Sequence, residues 1–262
     1  MIQSLYRLFI ELTNRKWSSA LIRGFARSRV SKWFVPSFAR IYNINQDEMD
    51  KELQEYVTLH DFFIRRLKPG MRPVDEQEDA VVSPVDAVIE DIGLIESNHQ
   101  IVVKGKIYSI AEMLGSREAA EHYQQGNYMV LYLSPSHYHR IHSPVTGRVL
   151  KQWTLGSRSY PVNRLGLKYG KATLAKNFRT ITEIGYGNGR IAVVKVGAMF
   201  VNSIEPVHTG DKLKKGQEMA YFSFGSTVVL LFERGALNLP EAITLPKPIK
   251  VGETLGSLNQ SK

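Results

Sequence analysis

The feature that most constrains the fold is a series of short apolar runs that begins near residue 81. The runs are rich in β-branched and aromatic residues and are separated by turn formers such as Gly, Asn and Asp, a pattern typical of β-strands joined by turns. The predicted strands cover residues 87–92, 101–104, 128–133, 147–153, 180–184, 190–201, 218–222 and 227–232. With one helix predicted among them, over 110–124, they favour a mostly antiparallel sandwich or partly open barrel over a doubly wound sheet.

The residues before this series have a helical pattern instead. Apolar residues recur at helical spacing over residues 2–38 and again over 47–67, which predicts amphipathic helices. The segment 68–73 then ends the helical pattern, because its two prolines and its glycine form a turn. The sequence therefore predicts an α+β protein with a helical N-terminal part over residues 1–74 and a β-rich part over residues 75–262.

Positive charge is concentrated at the N-terminus. The chain of 262 residues has a net charge of +9, and residues 1–44 hold eight basic residues and one acidic residue, which leaves +2 for the other 218. Basic residues interrupt the apolar ones too often for a membrane-spanning run of about 20 or for a signal peptide. Because Trp17 and Trp33 also lie here, we predict an in-plane anchor on an anionic membrane surface. An ordinary helix pair packed on the β-rich part is the alternative.

Three histidines are the first candidates for chemistry. The chain has no cysteine, which excludes disulfides, thiol catalysis and cysteine-ligated metal sites. His137, His139 and His142 follow the strand predicted over 128–133, and in an extended chain the first two share one face. No HExxH motif or nearby set of carboxylates accompanies them. Acid–base catalysis is the favoured interpretation, and metal binding and a structural role remain open.

Two further positions are candidates because of their local context. Gly225-Ser226 directly precedes the wholly apolar strand predicted over 227–232, but Phe224 and Val228 stand where a nucleophile elbow has glycines. The residues alone favour a turn that opens a buried strand; a strained glycine peptide would instead let the serine hydroxyl attack the preceding carbonyl. Asp86 lies in a turn before another strand, and such an aspartate is most often a turn or cap residue. It becomes a catalytic candidate only beside a histidine and a serine.

Several motifs, taken in their order along the chain, resemble those of the phosphatidylserine decarboxylase family. The resemblance covers nearly the whole sequence, and the order and spacing of the motifs make it specific, because each motif alone is weak. The motifs are FIRRLKPGMRP at 63–73, SPVD at 83–86, VKGKIYS at 103–109, YHRIH at 138–142, YPVN at 160–163, VGAM at 196–199 and FGST at 224–227.

The resemblance implies a proenzyme that cuts itself between Gly225 and Ser226. The Ser226 hydroxyl would attack the Gly225 carbonyl, and Ser226 would end as a covalent pyruvoyl group, the cofactor, at the start of the second chain. By position in the motifs, His142 would be the base of this cleavage, Asp86 would orient it, and His139 would supply a proton during turnover. The processed enzyme would convert phosphatidylserine to phosphatidylethanolamine and CO2 through a Schiff base with the pyruvoyl group.

The partners implied are phosphatidylserine and the anionic cytoplasmic face of the cell membrane, where the protein would be peripheral. The two chains would remain associated, and a homodimer is compatible with the resemblance. No metal ion is expected. Nucleic acid is not expected either, since the β-rich part is nearly neutral. Two alternatives remain. One is a pyruvoyl-dependent decarboxylase of a soluble amino acid. The other is a basic peripheral membrane protein without enzymatic activity, which would stay a single uncut chain.

Overall fold

The structure, a computed structural model, describes residues 16–158, 160, 162, 172–187, 189–198, 204–223, 226–240 and 243–259, with only the backbone at 16–20 and 22. Its N-terminal part is built from short helices: α1 (Lys16–Arg27), a 3-10 helix (Arg29–Phe34), α2 (Val35–Ile41), a second 3-10 helix (Leu53–Glu55) and α3 (Leu59–Phe63). None of the helices within these described ranges is long and apolar enough to cross a membrane.

The continuous helix predicted over residues 47–67 is wrong, because the chain restarts twice within it. Glu52 begins the second 3-10 helix with a capping box, and Thr58 begins α3 by accepting a hydrogen bond from the Asp61 backbone N–H. Tyr56 between them has an extended backbone. These breaks let apolar side chains that do not share one helical face converge on a small core of Val35, Ala39, Ile44, Met49, Tyr56 and Phe62.

The β-rich part contains sixteen strands within the described residues. They are β1 (Ala80–Val82), β2 (Ala87–Leu94), β3 (Gln100–Val103), β4 (Lys106–Ser109), β5 (Asn127–Leu133), β6 (Arg140–His142), β7 (Gly147–Leu155), β8 (Arg179–Tyr186), β9 (Gly189–Gly197), β10 (Ile204–Pro206), β11 (Lys212–Leu213), β12 (Glu218–Phe222), β13 (Ser226–Phe232), β14 (Leu237–Asn238), β15 (Lys247–Ile249) and β16 (Thr254–Leu258). Each strand predicted from the sequence overlaps one of them, although residues 199–201 of the sixth lie outside the described ranges.

These strands form one large sheet and three small ones, and the described pairs are antiparallel. The large sheet has the order β11-β7-β8-β9-β13-β5-β2-β15, and the small sheets have the orders β1-β16-β14, β10-β12-β6 and β3-β4. No sheet closes into a barrel within the part of the chain that is described, and the α+β class predicted from the sequence is confirmed. Strand β13 lies in the interior of the large sheet, between β9 and β5.

Both faces of the large sheet are covered at β13, which explains why residues 228–232 of this strand are all apolar. Val228, Leu230 and Phe232 point into one core, and Val229 and Leu231 point into the other. Because side chains alternate along a strand, Ser226 lies on the same face as Val228. The first residue of β13 is therefore a polar side chain at the edge of an apolar core.

The single helix predicted over residues 110–124 is in fact two, α4 (Ile110–Leu114) and α5 (Arg117–Glu121). Gly115 separates them with a positive φ of 70°, and a Cβ there would lie 2.5 Å from a Leu155 methyl carbon. Glycine is the residue that tolerates this conformation and this close approach. Ser116 then caps α5 by accepting a hydrogen bond from the Ala119 N–H. One further short helix, α6 (Thr173–Lys176), precedes β8.

Candidate active site

Ser226 begins β13 and lies opposite Gly197 of β9 and Leu133 of β5. Its side chain is fully buried, and its hydroxyl has no hydrogen-bond partner among the described residues. A buried hydroxyl without a partner costs about 1–3 kcal/mol. The Thr227 hydroxyl beside it is likewise buried without a described partner, so the start of β13 is unusual for a strand that is apolar from Val228 onward. Gly225, the predicted neighbour across the cleavage site, lies outside the described residues.

His139 lies in the segment that connects β5 to β6. The segment leaves β5 at Leu133, directly opposite Ser226, and it returns to the β12 end, where the Phe222 N–H donates to the His139 carbonyl at 2.9 Å. Ser226 follows Phe222 by four residues. The backbone of His139 is therefore linked to the neighbourhood of Ser226 in two ways: through Leu133, six residues earlier in the sequence, and through Phe222, four residues before Ser226.

The protonation state of His139 follows from its contacts. Its ring is completely buried, and Nδ1 lies 2.8 Å from the carbonyl oxygen of His137. Because a carbonyl only accepts hydrogen bonds, Nδ1 carries the proton and Nε2 presents a lone pair. No described residue is bonded to Nε2. Burial, followed by the charge of Arg65, lowers the pKa of His139 well below its usual value, so the ring is neutral at pH 7.

The N-terminal helical part forms one wall of the His139 site. The Phe63 ring, at the end of α3, packs against the His139 ring with 4.0 Å between centroids. Arg65 donates from Nη2 to the carbonyl oxygens of Ser136 and His137, at 2.8 and 3.0 Å. Sequence reasoning missed both as site residues, although both belong to the motif at 63–73. The signal that could have found Arg65 is the pair of arginines, Arg65 and Arg66, one residue after an aromatic pair.

His142, at the end of β6, is also held as a neutral ring with one defined tautomer. Its Nδ1 lies 2.8 Å from the carbonyl oxygen of Gly216, so Nδ1 carries the proton, and Nε2 lies 3.3 Å from the Tyr138 hydroxyl. Burial is the largest cause that lowers the pKa of His142. Its Nε2 can therefore accept a proton, and its contact among the described residues is the Tyr138 hydroxyl.

Asp86 is held by the N-terminal part. Arg72 contacts both carboxylate oxygens, through Nε at 2.8 Å and Nη2 at 2.5 Å, and the Val251 N–H donates at 2.9 Å. Arg72 also donates to Glu48 at 2.7 Å. The backbone places this turn beside His142, whose N–H donates to the Pro84 carbonyl at 2.8 Å.

The three members of the predicted triad are thus brought together only in part. Asp86 and His142 are neighbours, and the Asp86 charge is one of the smaller causes that raise the pKa of His142 against the effect of burial. However, the contact that orients His142 at Nδ1 comes from Gly216, where the family resemblance implied Asp86.

His137 occupies a structural position in the same segment. Its Nδ1 accepts a hydrogen bond from the Ser134 N–H at 3.0 Å, and its own N–H donates to the Ser134 carbonyl at 3.0 Å. These two bonds close the turn that carries the backbone to His139. The histidine cluster does not form a metal site in the described part of the chain, where no group of three potential ligands occurs.

This combination of a buried serine at a strand start, two neutral histidines and an ion-paired aspartate can be compared with known families. A family model for phosphatidylserine decarboxylase matches residues 59–257, and the chain belongs to that family. The match includes the segment around Arg65, both histidines and Ser226.

Curated relatives over nearly the full length of the chain belong to the same family. The chain is 64% identical over 252 residues to the phosphatidylserine decarboxylase proenzyme of Geobacillus kaustophilus (strain HTA426), with 96% of each chain covered. It is 61% identical over 258 residues to the proenzyme of the same name from Geobacillus sp. (strain WCH70), with 98% of this chain and 100% of the relative covered. The proenzyme of Anoxybacillus flavithermus (strain DSM 21510 / WK1) is 59% identical over 263 residues, with 100% and 99% covered.

Proposed function

We propose that this chain is a self-processing phosphatidylserine decarboxylase that produces phosphatidylethanolamine and CO2. The observation that carries the proposal is the fully buried hydroxyl of Ser226 at the start of β13, which has no hydrogen-bond partner among the residues that the structure describes, in a chain of this family. A serine that only opens a strand would be expected to bond its hydroxyl to the backbone or to water, since buried polar groups are almost always hydrogen-bonded. An unpartnered hydroxyl remains available for reaction.

Processing begins at the peptide bond between Gly225 and Ser226. The Ser226 oxygen bonds to the Gly225 carbonyl carbon as the C–N bond breaks and the nitrogen gains a proton, which leaves an ester and a free amine. Loss of the Ser226 α-proton then breaks the Cβ–O bond, so Gly225 becomes a C-terminal carboxylate and residue 226 becomes a dehydroalanine. Its Cβ gains a proton to become a methyl group as the C=C bond shifts to C=N, and water then replaces the nitrogen, which leaves as ammonia. The acceptor for the hydroxyl proton is Nε2 of His142, whose tautomer is fixed by Gly216.

We further assign Asp86 to the positioning of His142. Its carboxylate is fixed by Arg72 and by the Val251 N–H, and its negative charge favours the protonated form of the nearby imidazole, which exists only while the ring holds the serine proton. Asp86 thus acts through the electric field, without a direct hydrogen bond to Nδ1 of His142.

The environment of Ser226 also fits the pyruvoyl group that processing would leave there. A methyl ketone needs less hydrogen bonding than a hydroxyl, and the described surroundings of the Ser226 side chain offer its oxygen no partner. When present, the group supplies a carbonyl that binds the substrate amine covalently and accepts the electrons released with CO2.

His139 handles the protons of this reaction. The serine ammonium of the substrate must lose a proton before its nitrogen can bond. Nε2 of His139 carries a lone pair that no described residue engages, so it can accept this proton. Burial and Arg65 lower the pKa of His139, so the protonated ring readily gives the proton back. The recipient is the substrate carbon that has lost CO2, so one proton is taken and one is returned per turnover.

The two chains are expected to remain associated after cleavage. Strand β13, which would begin the second chain, pairs with β5 along one edge and with β9 along the other. Strand β16 pairs with β1, and β15 pairs with β2. Every one of these pairs joins the second chain to the first. Cleavage at the start of β13 therefore breaks one bond and leaves the sheet intact.

We also propose that the N-terminal part, with its boundary near residue 74, anchors the protein to the anionic cytoplasmic face of the membrane. Its described surface combines exposed apolar side chains with basic ones: Leu21, Phe25, Val30, Trp33, Phe34 and Ile41 with Arg27, Arg29, Lys32 and Arg40. Trp33 is 85% exposed. The same part supplies Phe63 and Arg65 to the His139 site, so a membrane bound by this surface would bring lipid close to the site.

The membrane proposal is tested by vesicle flotation. Trp33→Ala should weaken binding to phosphatidylserine-containing vesicles roughly ten- to hundredfold, because insertion of a large apolar side chain contributes about 1.5–3 kcal/mol. Leu94→Ala, at another exposed apolar residue in the β-rich part, is the matched control and should bind normally. Equal binding of both variants and the wild type would contradict the anchor.

The activity is tested by CO2 release from phosphatidylserine in mixed micelles, with free serine assayed in parallel. The wild type should decarboxylate the lipid, and Ser226→Ala should be inactive and uncut. Release of CO2 from free serine but not from the lipid would contradict the proposal and favour a decarboxylase of a soluble amino acid.

A further inference from the structure

Arg65 has unused hydrogen-bonding capacity in a buried place. The residue is 4% exposed, and its Nη2 donates to the Ser136 and His137 carbonyls. Its Nε and Nη1 have no partner among the described residues. A guanidinium presents five N–H donors, so three of them are buried and unpaired.

The positive charge of Arg65 is also uncompensated by a direct contact. The ion pairs found among the described residues do not include it, and the nearest acids, Asp86 and Glu48, are both bonded to Arg72. The Phe62 ring beneath the guanidinium, 5.5 Å from its carbon, offers only a cation–π contact. Burial lowers the pKa of Arg65 to about 10, so it stays charged at pH 7. An unpaired buried cation is costly, and an anionic ligand would relieve that cost.

The position of Arg65 relative to His139 indicates which ligand this is. Nη2 of Arg65 and Nδ1 of His139 both contact the carbonyl oxygen of His137, at 3.0 and 2.8 Å. The guanidinium and the imidazole are therefore neighbours, and each has buried nitrogen atoms without a partner in the described chain. A ligand that uses both side chains would place one group at Nε2 of His139 and an anionic group at Nε and Nη1 of Arg65.

Phosphatidylserine carries two anionic groups, and the chemistry distinguishes between them. The carboxylate loses its charge when CO2 leaves, so a cation bound to it would stabilise the substrate more than the transition state and would slow the reaction. The phosphodiester keeps its charge throughout. An arginine bound to the phosphodiester stabilises substrate and transition state equally, which tightens binding at no cost to the rate of the chemical step.

We propose that Arg65 is the binding residue for the phosphodiester of the phospholipid head group. The inference rests on the proposed function, because it places the substrate of that reaction beside His139. It predicts that the product phosphatidylethanolamine, which retains the phosphate and lacks the carboxylate, uses the same contact.

The test compares Arg65→Gln with a matched control, Arg66→Gln, which removes the same charge from the neighbouring residue. The Arg66 side chain is 64% exposed, whereas Arg65 is buried. In mixed micelles, Arg65→Gln should raise the KM for phosphatidylserine roughly ten- to hundredfold, since a charge-assisted hydrogen bond is lost. It should change kcat by a smaller factor, since Arg65 also lowers the pKa of His139. The inhibition constant for phosphatidylethanolamine should rise by the same factor. Arg66→Gln should leave both constants near those of the wild type.

Three results would overturn the assignment. A raised KM with an unchanged inhibition constant for phosphatidylethanolamine would show that Arg65 binds the carboxylate of the substrate. A lower kcat with an unchanged KM would show that Arg65 positions His139 and does not bind the phosphodiester. Equal effects in Arg65→Gln and Arg66→Gln would show that Arg65 contributes only general positive charge. An inactive wild type would instead refute the proposed function, which keeps the two failures distinct.

A binding measurement without turnover completes the test. The uncut Ser226→Ala chain should bind glycerophosphoethanolamine, a soluble phosphodiester, in a calorimetric titration, and the added Arg65→Gln change should weaken that binding by the factor seen in KM. If Arg65→Gln does not fold, Arg65→Lys retains the charge with fewer donors and should weaken binding to a smaller extent. Unchanged binding in the folded variant would refute the proposal.

Discussion

Lys195 allows the most quantitative prediction, because it is a buried base in the middle of the large sheet. Its side chain is 1% exposed, and its amine donates a 2.6 Å hydrogen bond to the Thr182 hydroxyl. Thr182 in turn donates to Gln152 at 3.0 Å. Burial is the single cause that lowers the pKa of Lys195, from 10.5 to about 7. The perturbation we choose is Lys195→Met, which preserves an unbranched side chain and removes the titratable group.

The sign and size of the effect follow from this pKa. Between pH 7 and 10.5 the unfolded chain holds a proton on Lys195 that the folded chain has released, so stability rises with pH across this window. One pKa unit corresponds to about 1.36 kcal/mol, and the fall of the Lys195 pKa therefore destabilises the protein by about 5 kcal/mol below pH 7. The penalty disappears above pH 10.5. Loss of the Thr182 hydrogen bond costs Lys195→Met about 1 kcal/mol at every pH.

The assay is urea unfolding of the uncut Ser226→Ala chain, with and without Lys195→Met. The variant should be more stable than its parent by about 4 kcal/mol at pH 6, and this advantage should shrink through pH 9 and reverse to a deficit of about 1 kcal/mol near pH 10.5. Lys212→Met, at an exposed lysine in β11 of the same sheet, should show no such trend. A pH-independent difference between parent and Lys195→Met would refute the assignment of a depressed pKa.

Three further predictions concern the site. His139→Ala should yield two chains and reduce decarboxylation at least a hundredfold, whereas His142→Ala should remain uncut on a denaturing gel; the reverse pattern would exchange their roles. Asp86→Asn should lower the free energy of unfolding by about 2 kcal/mol, because the half-buried Arg72 loses one of its two carboxylate partners and keeps Glu48, and an unchanged urea midpoint would contradict the importance of the pair. Phe63→Leu should impair turnover but not cleavage, and normal CO2 release would remove Phe63 from the site.

The strands were predictable from the sequence because their signal is local. Residues 228–232 of β13 are a wholly apolar run, and the burial of both faces of the strand requires such a run. Lys195 shows the limit of this reasoning, since it stands in a strand with the same pattern and yet is fully buried. Sequence alone cannot distinguish a lysine that reaches solvent from one that is covered by another layer.

The helices were predicted less well, because apolar spacing does not register caps. Over residues 47–67 the apolar residues suit a helix, but Glu52 and Thr58 each cap a separate short one. Likewise, Gly115 ends α4 within the predicted helix over 110–124. In both segments the tertiary core determined the backbone path, which overrides helix propensity.

The contacts of the candidate site could not be predicted from the sequence. Motif positions pointed to Asp86 and His142, whereas the bond from Asp86 to Arg72 joins residues from opposite sides of the predicted boundary near 74. Such a pair has no periodicity by which to recognise it. The contact of Arg65 with the His137 carbonyl spans 72 residues of sequence and is equally invisible before the chain is folded.

Intact-mass analysis of the purified protein tests the central claim most directly. We expect two chains in place of one, the first ending at Gly225 and the second beginning at residue 226. The second should be lighter, by the mass of one ammonia molecule, than a chain that begins with an unmodified Ser226. Ser226→Ala should give a single full-length mass. A wild-type protein that stays one chain, or a second chain that retains the full mass of serine, would contradict the account.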